Sequence, residues 1–188
     1  MSISHQDRRH LGTAELVTEL ADERLVQRQS DGNVYRDFPL ETVREVRLTV
    51  EMAAQANQVV CRVKDEAGSE IVFGSMAFKS PGVFESRIET FQPLLRALHL
   101  ALLPHADKIR FIEGQSQAFM IAMLLLGVAL TGIGAFFFVI LLLIQENLAG
   151  LFMIAPFAAG LWVMQLFWPR GVKLYDPIAF AKPEGDPE

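Results

Sequence analysis

The segment "FFFVILLLIQENLAGLFMIAP", Phe136–Pro156, decides the fold of this 188-residue chain, because two apolar runs almost meet within it. Only the polar residues 145–147 separate the first run, Ala118–Ile144, from the second, Leu148–Trp168, and neither run contains a charged side chain. As a helix, the 27 residues of the first run would be about 40 Å long, more than the roughly 30 Å hydrocarbon core of a bilayer. We predict two transmembrane helices, antiparallel neighbours joined by a short outer turn.

The basic residues near the two runs predict which way the hairpin faces. Lys108 and Arg110 precede the first run, Arg170 and Lys173 follow the second, and the connecting turn has neither lysine nor arginine. Since positive flanks stay on the cytoplasmic side, both termini are predicted to be cytoplasmic. Residues 1–12 are polar, lack the apolar core of a signal peptide and are predicted to be flexible.

Small residues recur at four-residue spacing along both runs, namely Gly127, Thr131 and Ala135 in the first and Ala155 and Ala159 in the second. They either pack the two helices of the hairpin against each other, which we favour, or dock other chains. Pro156 is predicted to kink the second helix mildly. Because neither run carries a charge, a transport path formed by this chain alone is not expected.

Residues 13–106 are predicted to form the soluble cytoplasmic domain, and within it residues 13–80 have the alternating pattern of short antiparallel strands. In "VRLTVEM" and "VVCRVKD" apolar residues alternate with polar ones, and "EIVFGSMAF" is predicted to be one further strand. Upstream, "AELVTEL", "RLVQRQ" and "VYRDFPL" predict three more strands, separated by polar turns such as "SDGN". The pattern predicts six or seven strands with one buried face, and Cys61 is expected in the core as a small apolar residue.

The period changes to that of an amphipathic helix over residues 84–103. One face of this predicted helix is apolar, and the other is polar and includes Arg87, Arg96 and His99. Pro93 either kinks the helix or lies in the first turn of a helix that begins near Thr90, and both alternatives stay open.

In chain order, the patterns predict an α+β soluble domain followed by a transmembrane hairpin. A sheet with one apolar face needs a cover, and the single C-terminal helix of the domain supplies it. Residues 107–117 are predicted to be a juxtamembrane linker, and residues 169–188 a cytoplasmic tail that is mostly extended or disordered.

The strand order, the phrase "FPLETVREVRL" and the closing helix "ETFQPLLRALHLAL" resemble a pleckstrin-homology-like domain. The segment "WPRGVKLYDP", Trp168–Pro177, resembles the stretch after the hairpin in small bacterial membrane proteins of this build. The resemblance implies an antiparallel sheet or barrel capped by one helix, in an integral protein of the bacterial inner membrane. It does not imply phosphoinositide binding, because "ELADERL" at the first hairpin is acidic, whereas lipid-binding members carry lysine and arginine there.

No residue pattern in the chain predicts a catalytic, cofactor or metal site. His99 and His105 lack metal-ligand spacing, and Asp65 and Glu66 lie in a predicted turn. Gly134 lies within an apolar helix and forms no phosphate-binding loop. We therefore predict that the chain is not an enzyme, since function must be argued from a site.

The sequence favours a non-enzymatic interaction or scaffold module held at the cytoplasmic face of the membrane. Its predicted partners are the lipid bilayer and a protein, either a different one or a second copy; neither nucleic acid nor a small-molecule substrate is expected. The predicted partner surface is the polar helix face at Arg87, Arg96 and His99. The alternative is an accessory subunit of a larger transport or envelope-biogenesis complex, in which the hairpin makes the specific contacts.

Overall fold

The structure, a computed structural model, describes residues 2–53, 56–169 and 171–181. The chain forms two compact units, the first comprising Met1–Gly114 with Lys173–Glu188, and the second Gln115–Val172. Among the described residues, every strand lies in the first unit, and the second is helical. The predicted α+β class, with antiparallel strands and C-terminal helices, is confirmed.

The first sheet is an antiparallel meander in the order β1-β2-β3-β4, with the strands Ile3–Asp7, Leu16–Ala21, Arg24–Gln29 and Val34–Pro39. Asp22 and Glu23 form the β2–β3 turn with φ angles of 49° and 58°, the left-handed geometry that two-residue hairpin turns need. In the next turn the Asp31 side chain accepts a hydrogen bond from the Asn33 N–H. The three upstream strands expected from the sequence are therefore present as β2, β3 and β4.

Strand β1 contradicts the prediction that residues 1–12 are flexible. It pairs along its whole length with β2. Its inward-facing side chains, His5 and Asp7, are fully buried. The prediction was wrong because a strand whose buried residues are polar has no apolar alternation by which to recognise it.

The second sheet is built around the strands that alternate most regularly in sequence. These are β5 (Val43–Ala53), β6 (Ala56–Asp65) and β7 (Glu70–Gly74), which form an antiparallel meander. Cys61 of β6 is fully buried, as expected, and burial raises the pKa of its thiol. The thiol is therefore a packing group of the core.

The predicted single strand "EIVFGSMAF" is instead broken at Ser75. After β7 the chain enters a separate hairpin of β8 (Met76–Ser80) and β9 (Val83–Ser86). The Ser75 N–H donates to the Val59 carbonyl at 2.8 Å, and its hydroxyl accepts from the Val59 N–H at 2.9 Å. Its carbonyl accepts from the Arg87 N–H at 2.8 Å, so both sides of Ser75 are held where the chain leaves the sheet.

Helix α1 (Ile88–Leu102) covers the core of the first unit. It begins later than predicted because β9 occupies residues 83–86. The helix begins at Ile88, close to the alternative start near Thr90, but Pro93 lies in its second turn and not in the first. The core beneath it draws on both sheets and includes Leu25, Phe38, Val46, Cys61 and Phe73.

The second unit consists of two apolar helical segments around the turn at residues 145–147. Helix α2 (Gln117–Phe138) continues as a π-helical turn through Ile144, and a 3-10 segment from Leu148 leads into helix α3 (Ile154–Leu166). Pro156 lies in the first turn of α3, directly after the 3-10 segment, so it falls inside the second helical segment where the geometry changes from 3-10 to α.

Both segments are long and apolar enough to cross a membrane, judged by length and composition. Gln117–Ile144 has 28 residues and Leu148–Leu166 has 19, and the most apolar 18-residue windows of the two segments have mean hydropathies of 2.6 and 1.7. In the most apolar window of each, only 11% of the residues are buried. Apolar side chains left open to this extent are unlike the core helix of a soluble protein.

Residues on either side of the hairpin belong to the second sheet. Strand β10 (Arg110–Glu113) lies parallel to β5, and β11 (Lys173–Leu174) pairs antiparallel with β10 at the sheet edge. The predicted linker 107–117 therefore contributes a strand. Residues 171–181 of the predicted tail include β11 and the short helix α4 (Pro177–Ala181), so this part is not disordered, and residues 170 and 182–188 lie outside the described residues.

Candidate functional site

The contact between α2 and α3 is made by glycines, namely Gly127, Gly134 and Gly160, with Gly150 near the turn. A Cβ added at Gly134 would lie 2.6 Å from the backbone nitrogen of Phe157. One added at Gly160 would lie 2.7 Å from the Gly127 carbonyl oxygen. A Cβ does not approach a non-bonded backbone atom this closely, so only glycine allows the two backbones to pack at this separation.

The residues predicted to pack the hairpin are placed differently from one another. Gly127 and Thr131 lie in the contact, and the Thr131 hydroxyl donates to the Gly127 carbonyl at 2.9 Å. Ala135 is half-buried, while Ala155 and Ala159 are exposed. The four-residue spacing correctly predicted two contact residues of the first helix, Gly127 and Thr131, but it missed Gly134 and Gly160. Glycine itself, rather than any small residue, was the signal that would have found them.

In the first unit, the C-terminal tail lies in a groove between α1 and β10. The Tyr175 N–H donates to the Phe111 carbonyl at 3.2 Å, which extends the pairing of β10 with β11. The His99 ring lies 5.7 Å from that of Tyr175 and 5.4 Å from that of Phe180. We call this the tail groove, lined by Leu95, His99 and Phe111 and occupied by residues 173–181.

His99 is the polar centre of the tail groove. Its Nδ1–H donates to the Leu95 carbonyl at 2.7 Å, so its Nε2 is left to accept from the Tyr175 hydroxyl at 2.8 Å. Burial lowers the pKa of His99, which keeps the imidazole neutral as this arrangement requires. Burial also raises the pKa of Tyr175, so its hydroxyl remains a donor.

The predicted partner surface at Arg87, Arg96 and His99 is not a single exposed face. His99 is fully buried beneath the tail. Arg87 lies at the N-cap of α1, where its guanidinium pairs with Glu85 at 3.3 Å, and Arg96 is half-buried on the same helix. The prediction of an exposed His99 was wrong because the tail that covers it lies 76 residues away in sequence.

A second polar cluster lies where β1 meets the end of β7. The His5 Nε2–H donates to the Gly74 carbonyl at 2.9 Å, and Nδ1 accepts from the Thr90 hydroxyl at 2.8 Å. Asp7 Oδ2 accepts from the Gly74 N–H at 2.8 Å, but Oδ1 is buried without a hydrogen-bond partner among the described residues. Burial raises the pKa of the Asp7 carboxyl to about 6, although the Gly74 bond and the charge of Arg9 oppose the shift.

Asp7→Asn is expected to stabilise the protein at neutral pH and not at pH 4. The folded state holds the Asp7 proton more tightly than the unfolded chain, so its contribution is full below about pH 4 and lost as pH rises through about 6. The difference in free energy of unfolding, Asp7→Asn minus wild type, should grow by about 2 kcal/mol from pH 4 to pH 7. Chemical unfolding of both full-length chains in detergent at each pH measures it. A difference that does not change with pH would contradict the burial of an ionisable Asp7.

The two carboxylates considered in sequence, Asp65 and Glu66, make structural contacts. Asp65 Oδ1 accepts from the Ser69 N–H at 2.7 Å, and Glu66 pairs with Arg44 at 2.6 Å. Within the ranges that the structure describes, His, Cys, Asp and Glu side chains form no group of three or more suited to a metal ion. Comparison of the chain with protein-family models, with curated proteins and with solved structures found no match.

Proposed function

We propose that this protein is a non-enzymatic interaction module, a pleckstrin-homology-like domain held at the cytoplasmic face of a bacterial inner membrane by its helical hairpin. The observation that carries the proposal is the pairing of β10 with β11. Ile112 lies opposite Leu174, Glu113 lies opposite Lys173, and the Lys173 ammonium pairs with Glu113 at 2.7 Å. The chain thus leaves the domain and returns to it on neighbouring strands.

This pairing supports a two-span topology with both ends on one side. A segment with two uncharged runs that leaves and rejoins the same sheet crosses a membrane an even number of times. The basic residues flank the two ends of this segment, namely Lys108, Arg110, Arg170 and Lys173, whereas the one charged residue of the turn is the acidic Glu146. Since positive flanks stay on the cytoplasmic side, this charge distribution favours a cytoplasmic domain.

The order of elements in the domain supports the pleckstrin-homology-like part of the proposal. A four-stranded meander, β1–β4, is followed by a three-stranded meander, β5–β7, then by the β8–β9 hairpin and by α1 over the core. Asp22 and Glu23 lie at the tip of the β2–β3 hairpin, and the guanidinium of Arg24 pairs with Asp37 at 3.0 Å.

Because β1 precedes it, this acidic hairpin is the second of the domain, and the first, β1–β2, carries Arg8 and Arg9 in its loop. Arg8 donates to the Leu11 and Thr13 carbonyls and Arg9 pairs with Glu51 at 3.1 Å, so both guanidinium groups are engaged within the domain, and the proposed ligand is a protein and not an inositol phosphate.

The orientation can be tested with single cysteines, because the native Cys61 is buried. Glu146→Cys in the turn should react with a membrane-impermeant maleimide on intact spheroplasts. Asp31→Cys, at an exposed tip of the domain, should react only after the membrane is permeabilised. Labelling of Asp31→Cys on intact spheroplasts would overturn the proposed topology.

Purification of the tagged full-length protein from its native membrane in mild detergent tests the interaction role. We expect a stoichiometric protein partner, or a second copy of the chain, to co-purify and to be identified by mass spectrometry. Recovery of a monomer alone would count against an interaction module.

An accessory-subunit role is the second candidate, favoured by the open faces of the hairpin. Ala155 and Ala159 are exposed on α3. The hairpin also has an apolar cavity of about 280 Å³, lined by Ala135, Phe138, Val139, Met153, Ile154 and Phe157. Replacing both spans with unrelated apolar helices separates the two roles. A partner that is retained binds the domain, and a partner that is lost binds the hairpin.

A further inference from the structure

We propose that the tail groove is a peptide-binding surface, occupied in cis by residues 173–181, and that a protein partner enters it with a segment of the same chemistry. The inference rests on the proposed interaction function and names the surface that performs it. It also explains why His99 is a poor candidate for an exposed partner surface. His99 is reached only when the tail has left.

The groove has the parts of a site for an extended peptide. Strand β10 offers a backbone edge that already accepts an added strand, the mode known as β-augmentation. Beyond the paired residues, the Phe111 carbonyl accepts from the Tyr175 N–H. His99 Nε2 then offers one buried acceptor between aromatic rings, which selects for a side chain with both a ring and a hydroxyl.

The tail shows which chemistry the groove accepts. Leu174 lies on the added strand, and Tyr175 fills the aromatic centre with its hydroxyl bonded to His99. Asp176 accepts from the Ile178 N–H at 2.9 Å and so caps the short helix that brings Phe180 against His99. The matching partner segment has an apolar strand residue, a tyrosine, a helix-capping Asp-Pro pair and an aromatic residue one turn later.

The tail is anchored at Tyr175 and Ala181, and its other apolar side chains are open to solvent. Among the described residues, two residue pairs join β11 to β10, and Leu174, Ile178 and Phe180 remain 67%, 50% and 40% exposed. Elements with few buried apolar contacts open at a lower free energy than the core. In cis, however, the tail has an effective concentration on the order of millimolar, so a partner competes well only when the tail is weakened or the partner is concentrated at the membrane.

The test uses full-length protein in lipid nanodiscs and a fluorescent synthetic peptide of residues 173–181. Tyr175→Ala weakens the tail in cis, and hydrogen exchange verifies that the tail is released while β5–β7 stay protected. If the tail amides of Tyr175→Ala remain protected from exchange, a chain that lacks residues 173–188 is used as the released protein instead. We expect the peptide to bind the released protein at least tenfold more tightly than wild type, as measured by fluorescence anisotropy.

Two controls distinguish the groove from adsorption of an apolar peptide. His99→Leu, added to the released variant, removes the acceptor at similar volume and should weaken peptide binding about tenfold. A scrambled peptide should not bind. Equal binding to wild type, released and His99→Leu proteins, or no binding to the released protein, would overturn the proposal.

The same peptide separates this inference from the proposed function. Added to the native purification, it should displace the co-purifying partner. A partner that stays bound would show that the partner uses another surface, so the interaction role would stand and the groove assignment would fall. If no partner co-purifies, the proposed function is contradicted, and so is the inference that a partner enters the tail groove. The nanodisc experiment still decides whether the tail groove binds a peptide.

Discussion

Replacing Gly160 with leucine is expected to destabilise the helical hairpin by about 3 kcal/mol and to separate α2 from α3. An added Cβ would overlap Thr131 and lie 2.7 Å from the Gly127 carbonyl oxygen. Both are parts of α2 that cannot rotate away, since Thr131 is already bonded to the Gly127 carbonyl. The helices must therefore move apart, which removes the close backbone approach that holds them.

Gly132→Leu is the matched control for this prediction. Gly132 lies on the same helix as Gly127, and a Cβ added there would meet nothing within 4 Å. Its effect on the free energy of unfolding should stay within about 0.5 kcal/mol. Tryptophan fluorescence in detergent measures both, because the two tryptophans of the chain, Trp162 and Trp168, lie in and just after α3. Equal destabilisation by both variants would mean that the glycine contact does not hold the hairpin together.

Phe91→Ala is expected to cost the first unit about 3–5 kcal/mol of stability and to loosen β1. Phe91 is 1% exposed, and its ring lies 5.8 Å from that of His5 and 5.7 Å from that of Phe73. Removing it leaves a cavity between α1, β1 and β7. Because His5 is one of the residues that hold β1 inside the protein, the loss should reach the N-terminal strand.

Hydrogen exchange of the full-length protein gives the readout for this second prediction. The amides of Ile3–Asp7 should exchange faster in Phe91→Ala, together with a lower midpoint of chemical unfolding. Ile88→Ala on the same helix is the control, since Ile88 is 39% exposed, and its cost should be below about 1 kcal/mol. Unchanged protection of β1 in Phe91→Ala would show that β1 is held by its pairing with β2 alone.

Features with a strong local pattern were predicted well. The two uncharged runs and the turn between them could be read from composition, because a helix in hydrocarbon must satisfy its own backbone and avoid charge. Strands β5 and β6 could be read from alternation, since one of their faces is apolar and the other carries charges such as Arg47 and Arg62.

Features that depend on distant partners were missed. Strand β1 is polar on its buried side, because His5 and Asp7 bond to Gly74 across the fold. The strand through Ser75 breaks because Val59 and Arg87 hold its backbone, and no local pattern announces either partner. A short tail segment with several charges also gives no sign that it will complete a sheet.

The sequence by itself determined that the chain has an α+β part and two helices able to span a membrane, because period and charge act over neighbouring residues. Only the tertiary structure decided that His99 is buried, since an amphipathic helix shows which residues are polar but not what covers them. The same holds for the hairpin, where spacing suggested small residues and the contact distances selected the glycines. In each case the contacting residue is distant in sequence: Tyr175 covers His99, and Gly160 meets Gly127 across the hairpin. Local sequence does not show which polar or small side chains such a contact will bury.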